Sequence, residues 1–146
     1  MKAIPSRKQQ GFTLVELAVV VVILGVLAAF GVPRFMSSVE RSKASEAFTY
    51  LSSIQTAQER YQARQGRYAN NIKYLDIDVE KPEYFKVSGF SVPSGSKNLE
   101  TGWQMKLTRT GSAAGYGAYT VVYTHKGYQG KLSNIKDEIN PRQTKN

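Results

Sequence analysis

The chain has 146 residues, of which 41% are hydrophobic, and a formal net charge of +9. This length and apolar content suit about one domain with one apolar core, so the chain as a whole is not a disordered tail. The absence of cysteine excludes a disulfide-stapled scaffold and thiolate metal or redox sites, and the single histidine, His125, excludes a site built on a histidine pair. Three basic residues fall within the first eleven, so the remaining charge of about +6 argues only weakly for nucleic acid or anionic lipid as a partner.

The N-terminal part of the chain is strongly apolar. Residues 17–32 are a run of 16 without a polar side chain, LAVVVVILGVLAAFGV, and residues 12–32 carry one charge, on Glu16. About 20 apolar residues suffice to cross a bilayer as a helix, so this is a membrane-spanning or a targeting segment. Two alternatives are a secretory signal, whose apolar region is usually shorter, and a plain membrane anchor, which gains nothing from an acid inside its span.

The residues before and after the start of this run form a more specific pattern. Residues 8–16 read Lys-Gln-Gln-Gly-Phe-Thr-Leu-Val-Glu, which resembles the class III signal of type IV pilins and pseudopilins, most of all type IVa major pilins. In that family a prepilin peptidase cuts after the glycine. The resemblance implies a leader of residues 1–11, cleavage between Gly11 and Phe12, N-methylation of Phe12 and a mature chain of 135 residues.

The resemblance also implies how Glu16 takes part in filament assembly. Cleavage would create an α-amino group on Phe12, one helical turn from Glu16. In the family's filaments the acid of one subunit lies against the amine of a neighbour, and a charge left unpaired in an apolar interior costs about 3–5 kcal/mol. Phe12 and Glu16 are therefore expected to set the axial register. Gly25 and Pro33 fall where pilins carry a helix-loosening glycine and a proline, which predicts a hinge.

Residues 34–66 continue the helix with an amphipathic pattern. Apolar side chains recur at three- and four-residue spacing, which predicts a buried stripe: Ala44, Ala47, Phe48, Leu51, Ile54, Ala57 and Tyr61. Six charged side chains are expected on the surface or in contacts with other subunits: Glu40, Arg41, Lys43, Glu46, Glu59 and Arg60. Gly66 marks the end, so one helix is predicted over residues 12–65.

The remaining residues predict a linking segment and a sheet. The linking segment covers residues 67–81 and is expected to anchor to the helix through Tyr68, Ile72, Leu75 and Ile77. Strands are predicted within residues 84–92, with a bulge at Gly89, around Trp103, Met105 and Leu107, around Tyr119, Val121 and Tyr123, and within residues 127–132. Residues 110–117 suit a flexible hairpin, and the polar tail from residue 133 is expected to be loosely held.

Together these elements predict an α+β protein with the type IV pilin fold, in which a long N-terminal helix packs on a roughly four-stranded antiparallel sheet. The expected divisions are a leader at 1–11, a transmembrane and assembly helix at 12–33, its amphipathic half at 34–66 and the linking loop with the sheet at 67–146. Family members commonly staple the C-terminal loop with two cysteines. Because this chain has none, packing or a bound ion is expected to hold that edge.

Other candidate sites are weaker. Asp137 and Glu138 are calcium candidates by analogy with major pseudopilins, although a solvated acidic pair is the preferred interpretation. His125 is expected in an exposed turn. Trp103 and the nine tyrosines are expected in the sheet core and on the surface rather than in a stacking platform for DNA. Five basic residues are expected to form a basic outer face of the sheet: Lys97, Lys106, Arg109, Lys126 and Lys131. No catalytic constellation, phosphate-cradling glycine motif or cofactor site is indicated.

The resemblance implies a structural role, without enzymatic activity, as a type IV pilus subunit for motility, adhesion or DNA uptake. The implied partners are further copies in a helical homopolymer, the prepilin peptidase, an inner-membrane assembly platform, minor pilins and, before assembly, membrane lipid. The protein is expected first as a single-pass inner-membrane prepilin and then in a cell-surface filament. The alternatives are a major pseudopilin of type II secretion, a competence pilin that binds DNA and, least favoured, a membrane-anchored enzyme.

Overall fold

The computed structural model describes residues 11–111, 113 and 115–142. They fall into two units, one ending at Phe35 and the other starting at Met36, and each unit is described by itself. The predicted leader before Gly11 and the end of the predicted tail after Arg142 lie outside the described residues.

One long helix, α1, extends over Leu14–Gln65. It is continuous through Pro33, while the hinge at Gly25 and Pro33 stays a prediction. The helix ends as its sequence predicts, because Gly66 adopts the left-handed conformation with φ of +72°. The predicted helix is thus confirmed except for its first two residues.

The first unit exposes an apolar surface. Every residue from 11 to 35 is exposed. By length and composition, α1 includes a stretch that is able to cross a membrane.

The second unit contains a four-stranded antiparallel sheet in its described residues. The strands are β1 (Phe85–Val87), β2 (Gln104–Arg109), β3 (Thr120–Thr124) and β4 (Gly127–Tyr128), and they lie side by side in chain order. Opposite residues of β2 and β3 include Met105 with Tyr123 and Leu107 with Val121, all four of them fully buried. This confirms the α+β class and the antiparallel sheet.

The first strand is interrupted where Gly89 predicts a bulge. Val87 lies opposite Leu107, and pairing resumes only at Ser91, opposite Gln104, so the first strand carries one more residue than its partner in this interval. The Ser88 hydroxyl oxygen fills the gap in the ladder, because it accepts the Lys106 N–H at 2.9 Å. The predicted irregularity is confirmed.

The fourth strand is shorter than predicted. Only Gly127–Tyr128 pairs as a strand, and Gly130–Leu132 forms a 3₁₀ turn instead. The physical reason is that the Gln129 carbonyl oxygen accepts the N–H groups of Leu132 and Ser133, at 3.2 and 3.1 Å, which turns the chain out of the ladder.

The core lies between the second half of α1 and one face of the sheet. Six of the seven residues of the predicted helical stripe are buried, and the seventh, Tyr61, is partly buried against the core. The four predicted anchors of the linking segment also pack there. The prediction of a loosely held tail is wrong for residues 135–140, because Ile135, Ile139 and Asn140 are buried. The free energy gained by burying the two isoleucine side chains exceeds the free energy of solvating this polar segment.

Candidate functional site

The backbone from Gly11 to Thr13 precedes the helix and is fully exposed. Phe12 is 80% exposed, and a side chain at Gly11 would meet nothing within 4 Å. A protease binds its substrate as an open, extended backbone, and helical hydrogen bonding begins only beyond this point. The peptide bond between the predicted cleavage residues therefore lies in accessible, non-helical chain.

Thr13 and Glu16 form a reciprocal capping arrangement at the start of α1. The Thr13 N–H and hydroxyl each donate to Oε2 of Glu16 at 2.8 Å, and the Glu16 N–H donates to the Thr13 hydroxyl oxygen at 3.2 Å. This is the Thr-x-x-Glu capping box, which satisfies backbone donors that the first turn leaves without partners. Sequence reasoning missed Thr13, although its spacing from Glu16 carried the signal.

The capping box uses only half of the Glu16 carboxylate. Both donors of Thr13 meet Oε2, and Oε1 has no hydrogen-bond partner among the described residues. The side chain is exposed. A carboxylate oxygen at this position is therefore free to accept a further donor, such as an ammonium group.

Beyond the capping box, the helix presents large apolar side chains on all sides. Twelve of them between positions 14 and 30 are about half exposed or more: Leu14, Val15, Leu17, Val19, Val20, Val21, Val22, Ile23, Leu24, Val26, Leu27 and Phe30. A helix that is apolar all round requires an apolar environment, either lipid or other helices. The surface can therefore bind a membrane and other apolar helices.

A second ionised group lies deep in the sheet unit. Glu40 is only 1% exposed, which contradicts the prediction of a surface or intersubunit position. Arg109 binds it through two nitrogens, with Nε to Oε1 at 2.6 Å and Nη2 to Oε2 at 3.1 Å, and the Tyr119 hydroxyl donates to Oε1 at 2.8 Å. The three donors replace solvent, which is why a charged residue can occupy the apolar stripe.

The surroundings of Arg109 complete this buried network. Its Nη1 donates to the carbonyl oxygens of Tyr84 and Thr110, and its guanidinium lies 5.4 Å from the centre of the Tyr84 ring. Arg109 was expected on a basic outer face, and this prediction is wrong because the side chain faces the helix and pairs with Glu40. The network ties α1 to the last residue of β2 and the residue before β3.

The network also changes the ionisation of its members. Burial alone raises the pKa of Glu40, but the hydrogen bonds from Arg109 and Tyr119 outweigh it and hold that pKa below its ordinary value. Burial, reinforced by the hydrogen bond to Glu40, raises the pKa of Tyr119. The hydrogen bond to Glu40 raises the pKa of Arg109 as well. Glu40 and Arg109 are therefore an ion pair at neutral pH.

The weaker predicted sites are dispersed. Asp137 and Glu138 are exposed on a 3₁₀ turn, Asp137–Ile139. In the described part of the chain, no group of three or more His, Cys, Asp or Glu side chains is placed to hold a metal ion. His125 lies in the turn between β3 and β4, so its predicted place is confirmed, and its side chain is less exposed than predicted.

The other predicted basic residues are exposed: Lys97, Lys106, Lys126 and Lys131. The predicted core position of Trp103 is confirmed, because its side chain is completely buried, and Tyr50, Tyr119 and Tyr123 are buried with it.

The fold and the N-terminal site define a class of protein: one with an exposed apolar N-terminal helix and an antiparallel sheet domain. Residues 6–32 match the family model described as the prokaryotic N-terminal methylation motif. With the relatives described next, this match supports a place for the chain in the type IV pilin and pseudopilin superfamily.

The relatives come from both branches of that superfamily. The chain is 44% identical over 93 residues to the type IV major pilin protein PilA of Myxococcus xanthus, a match that covers 64% of this chain and 41% of the relative. It is 38% identical over 77 residues to the type II secretion system core protein G of Aeromonas hydrophila, covering 53% and 54%. A fimbrial protein of Moraxella nonliquefaciens is 43% identical over 49 residues, which are 34% of this chain and 32% of that protein. The chain thus spans about half the length or less of these relatives.

Proposed function

We propose that this protein is the structural subunit of a type IV pilus and has no enzymatic activity. The observation that carries the proposal is the exposed apolar part of α1 at residues 14–35, most of which lies within the methylation motif and which holds one acid near its start. In the membrane this surface contacts lipid. In a filament the same surface contacts the helices of neighbouring copies. The free energy of these contacts is similar to that of contacts with lipid, so the fit of the packed side chains supplies the specificity.

Processing precedes assembly in this proposal. A prepilin peptidase cuts between Gly11 and Phe12 and methylates the new amine of Phe12, which stays cationic. The exposed, non-helical backbone at this bond supports the proposal, since nothing must unfold for cleavage. An assembly platform in the inner membrane and minor pilins then act on the processed chain, which leaves the membrane for the cell surface.

The amine of Phe12 and the carboxylate of Glu16 set the axial register between subunits. Within one chain Oε2 of Glu16 is held by Thr13, whereas Oε1 has no hydrogen-bond partner among the described residues. Oε1 can therefore accept the Phe12 ammonium of a neighbour while the capping box stays intact. A subunit added one register off would leave both charges unpaired among apolar side chains, which is strongly unfavourable.

The pilus is favoured over the pseudopilus of type II secretion by two observations. The match to the pilin PilA extends over 93 residues, against 77 for the secretion protein. The C-terminal edge is held by buried Ile135, Ile139 and Asn140. An edge packed in this way does not depend on an ion. A pseudopilin is the second candidate, because the secretion proteins also match.

The test is to shear filaments from cells and measure the intact mass of this protein. We expect a chain that begins at Phe12, carries one added methyl group and is the dominant component. The same processed chain confined to the inner membrane would favour the pseudopilus. A filament chain that still carries residues 1–11 would contradict the proposed processing.

The matched test of register uses two glutamates on the same helix. Glu16→Ala is expected to be cleaved normally but to yield no filaments, whereas Glu59→Ala, which removes an exposed acid of the sheet unit, is expected to assemble. Abundant normal filaments from Glu16→Ala would refute the register role. A chelator should leave the melting temperature of the purified chain unchanged, and a fall would instead support a calcium-bound pseudopilin.

A further inference from the structure

The face of the sheet that points away from α1 carries a groove of about 630 Å³. Its lining includes Gln104 and Lys106 of β2 and Val122 and Thr124 of β3, whose side chains alternate along the strands with those of the core. Val122 and Thr124 are themselves buried. One wall is the turn at residues 93–96 and the other includes Gln129 and Leu132. A groove of this volume holds a small ligand of one or two rings.

Hydrogen bonds hold both walls of the groove in place. In the first wall the Ser96 N–H donates to the Pro93 carbonyl oxygen at 3.0 Å, and Gly95 takes the left-handed conformation that this turn requires, with φ of +92°. In the second wall the Gln129 side-chain amide donates to the Thr124 hydroxyl oxygen at 3.1 Å. The groove is thus a built feature of the sheet unit.

The groove is positively charged and has no acidic side chain in its lining. Lys106 and Lys126 line it, are exposed and form no ion pair or hydrogen bond through their side chains with any described residue. His125 lies beside them and its Nδ1 is buried without a hydrogen-bond partner among the described residues. Two uncompensated ammonium groups in one concave surface attract an anion.

The uncharged lining indicates what else the ligand carries. Ser94, Ser96, Thr101 and Gln104 line the groove together with the two lysines, and hydroxyl and amide groups pair well with sugar hydroxyls. The lining contains no Phe, Tyr or Trp, the rings on which nucleic-acid bases stack. We propose that this groove binds an acidic saccharide, a sugar unit that carries a carboxylate or sulfate group.

In this arrangement the ammonium groups of Lys106 and Lys126 bind the anionic group, and the hydroxyl and amide groups bind the ring hydroxyls. The inference goes beyond the filament role, because a single copy of the chain contains the whole groove. A failure of saccharide binding would therefore leave the proposed assembly untouched, and a failure of assembly would leave the groove untouched.

The experiment titrates the full chain in detergent micelles with a hyaluronan tetrasaccharide, which carries carboxylates, and a chondroitin sulfate tetrasaccharide, which adds sulfate. Chitotetraose is the neutral control and the oligonucleotide dT4 the charged control. Calorimetry gives the affinity and backbone NMR the site. We expect either acidic saccharide to shift the amide signals of Lys106, Thr124 and Lys126, with the stronger of the two identifying the anionic group. The proposal would be overturned if chitotetraose or dT4 bound as tightly as the acidic saccharides. It would also be overturned if neither acidic saccharide bound.

Two variants and one control locate the site. Lys106→Gln with Lys126→Gln is expected to weaken binding by about tenfold or more, because the double variant removes both charged hydrogen bonds to the anionic group. Ser94→Trp, at an exposed position, should block the groove without changing any charge. Lys86→Gln removes an exposed charge of β1 outside the groove and should change nothing. Weakening by Lys86→Gln equal to that of the double variant, or full binding by Ser94→Trp, would show a general attraction to anions and refute the site.

Discussion

The two halves of α1 share one backbone geometry and have opposite surroundings. From residue 14 to 35 every side chain is exposed although nearly all are apolar, whereas from residue 40 to 58 a stripe of the helix is buried under the sheet. In this molecule, helical backbone structure therefore does not predict whether a side chain is buried. The second half finds its apolar environment within its own unit, and the first half requires lipid or other helices.

The two glutamates that interrupt these apolar surroundings differ in the same way. Glu40 meets three side-chain donors from Arg109 and Tyr119 and is fully used. Glu16 meets only Thr13 and keeps one oxygen without a partner among the described residues. A carboxylate whose two oxygens both accept hydrogen bonds within the chain stabilises the fold. A carboxylate with one oxygen left without a partner is suited to bind a donor from another molecule.

The largest expected effect is the removal of the buried acid. Glu40→Ala should lower the free energy of unfolding by about 3–5 kcal/mol, because Arg109 is left buried without its counterion. Urea unfolding of the full chain in micelles, followed by fluorescence of the fully buried Trp103, measures it. Glu59→Ala is the control and should change the free energy by less than about 0.5 kcal/mol. Equal losses in the two variants would show that the network contributes nothing.

The same substitution in the two halves of the helix tests the comparison directly. Leu51→Ala should cost about 2–5 kcal/mol of unfolding free energy in the same assay, because it leaves a cavity in the core. Leu24→Ala should cost less than about 0.5 kcal/mol, because this side chain is exposed. A cost at position 24 close to that at position 51 would contradict the difference between the halves.

The pH dependence of stability sharpens the role of Glu40. Its pKa in the folded protein lies below the ordinary value of 4.5, so its contribution is fully present above about pH 4.5 and is lost as the pH falls through the folded-state pKa. Unfolding free energies between pH 7 and pH 3 should therefore fall less steeply for Glu40→Gln than for the parent chain. Parallel curves would assign the acid sensitivity to other carboxylates.

The smallest effect is expected at the capping box. Thr13→Ala removes both side-chain hydrogen bonds at the helix start, and amide hydrogen exchange in the first turn should accelerate by about fivefold. Unfolding of the sheet unit should not change. Thr49→Ala, at an exposed position in the middle of α1, is the control and should leave first-turn exchange unaltered. Unchanged exchange in Thr13→Ala would mean that the cap does not hold in micelles.

Local patterns predicted the elements well and the long-range pairs poorly. The end of α1 at Gly66 and the irregularity at Gly89 follow from local conformation, and the sequence carries both. Glu40 was placed on the surface because it is charged, although it continues the buried spacing toward Ala44 and Ala47. What keeps it buried is Arg109, 69 positions away, and no periodic pattern indicates such a partner.

The short fourth strand and the packed tail were missed for related reasons. The turn after Gln129 forms because the following N–H groups bond to the Gln129 carbonyl oxygen and not to a neighbouring strand. The β-propensity of the residues does not predict which of these hydrogen bonds forms. Ile135 and Ile139 are isolated among polar residues, so composition made the tail look solvated. The capping box differs from these cases, because Thr13 and Glu16 are three residues apart, which is the spacing that predicts it.

The buried network also bears on the order in which the chain folds. During synthesis Glu40 emerges 69 residues before Arg109 and 79 before Tyr119. A nascent helix that collapsed early onto other apolar segments would have to dehydrate its carboxylate with no donor to replace water, and this raises the barrier to such collapse. We therefore expect the β2–β3 hairpin to form first and the helix to dock afterwards. On this expectation, the buried charge of Glu40 slows incorrect packing of the helix during synthesis.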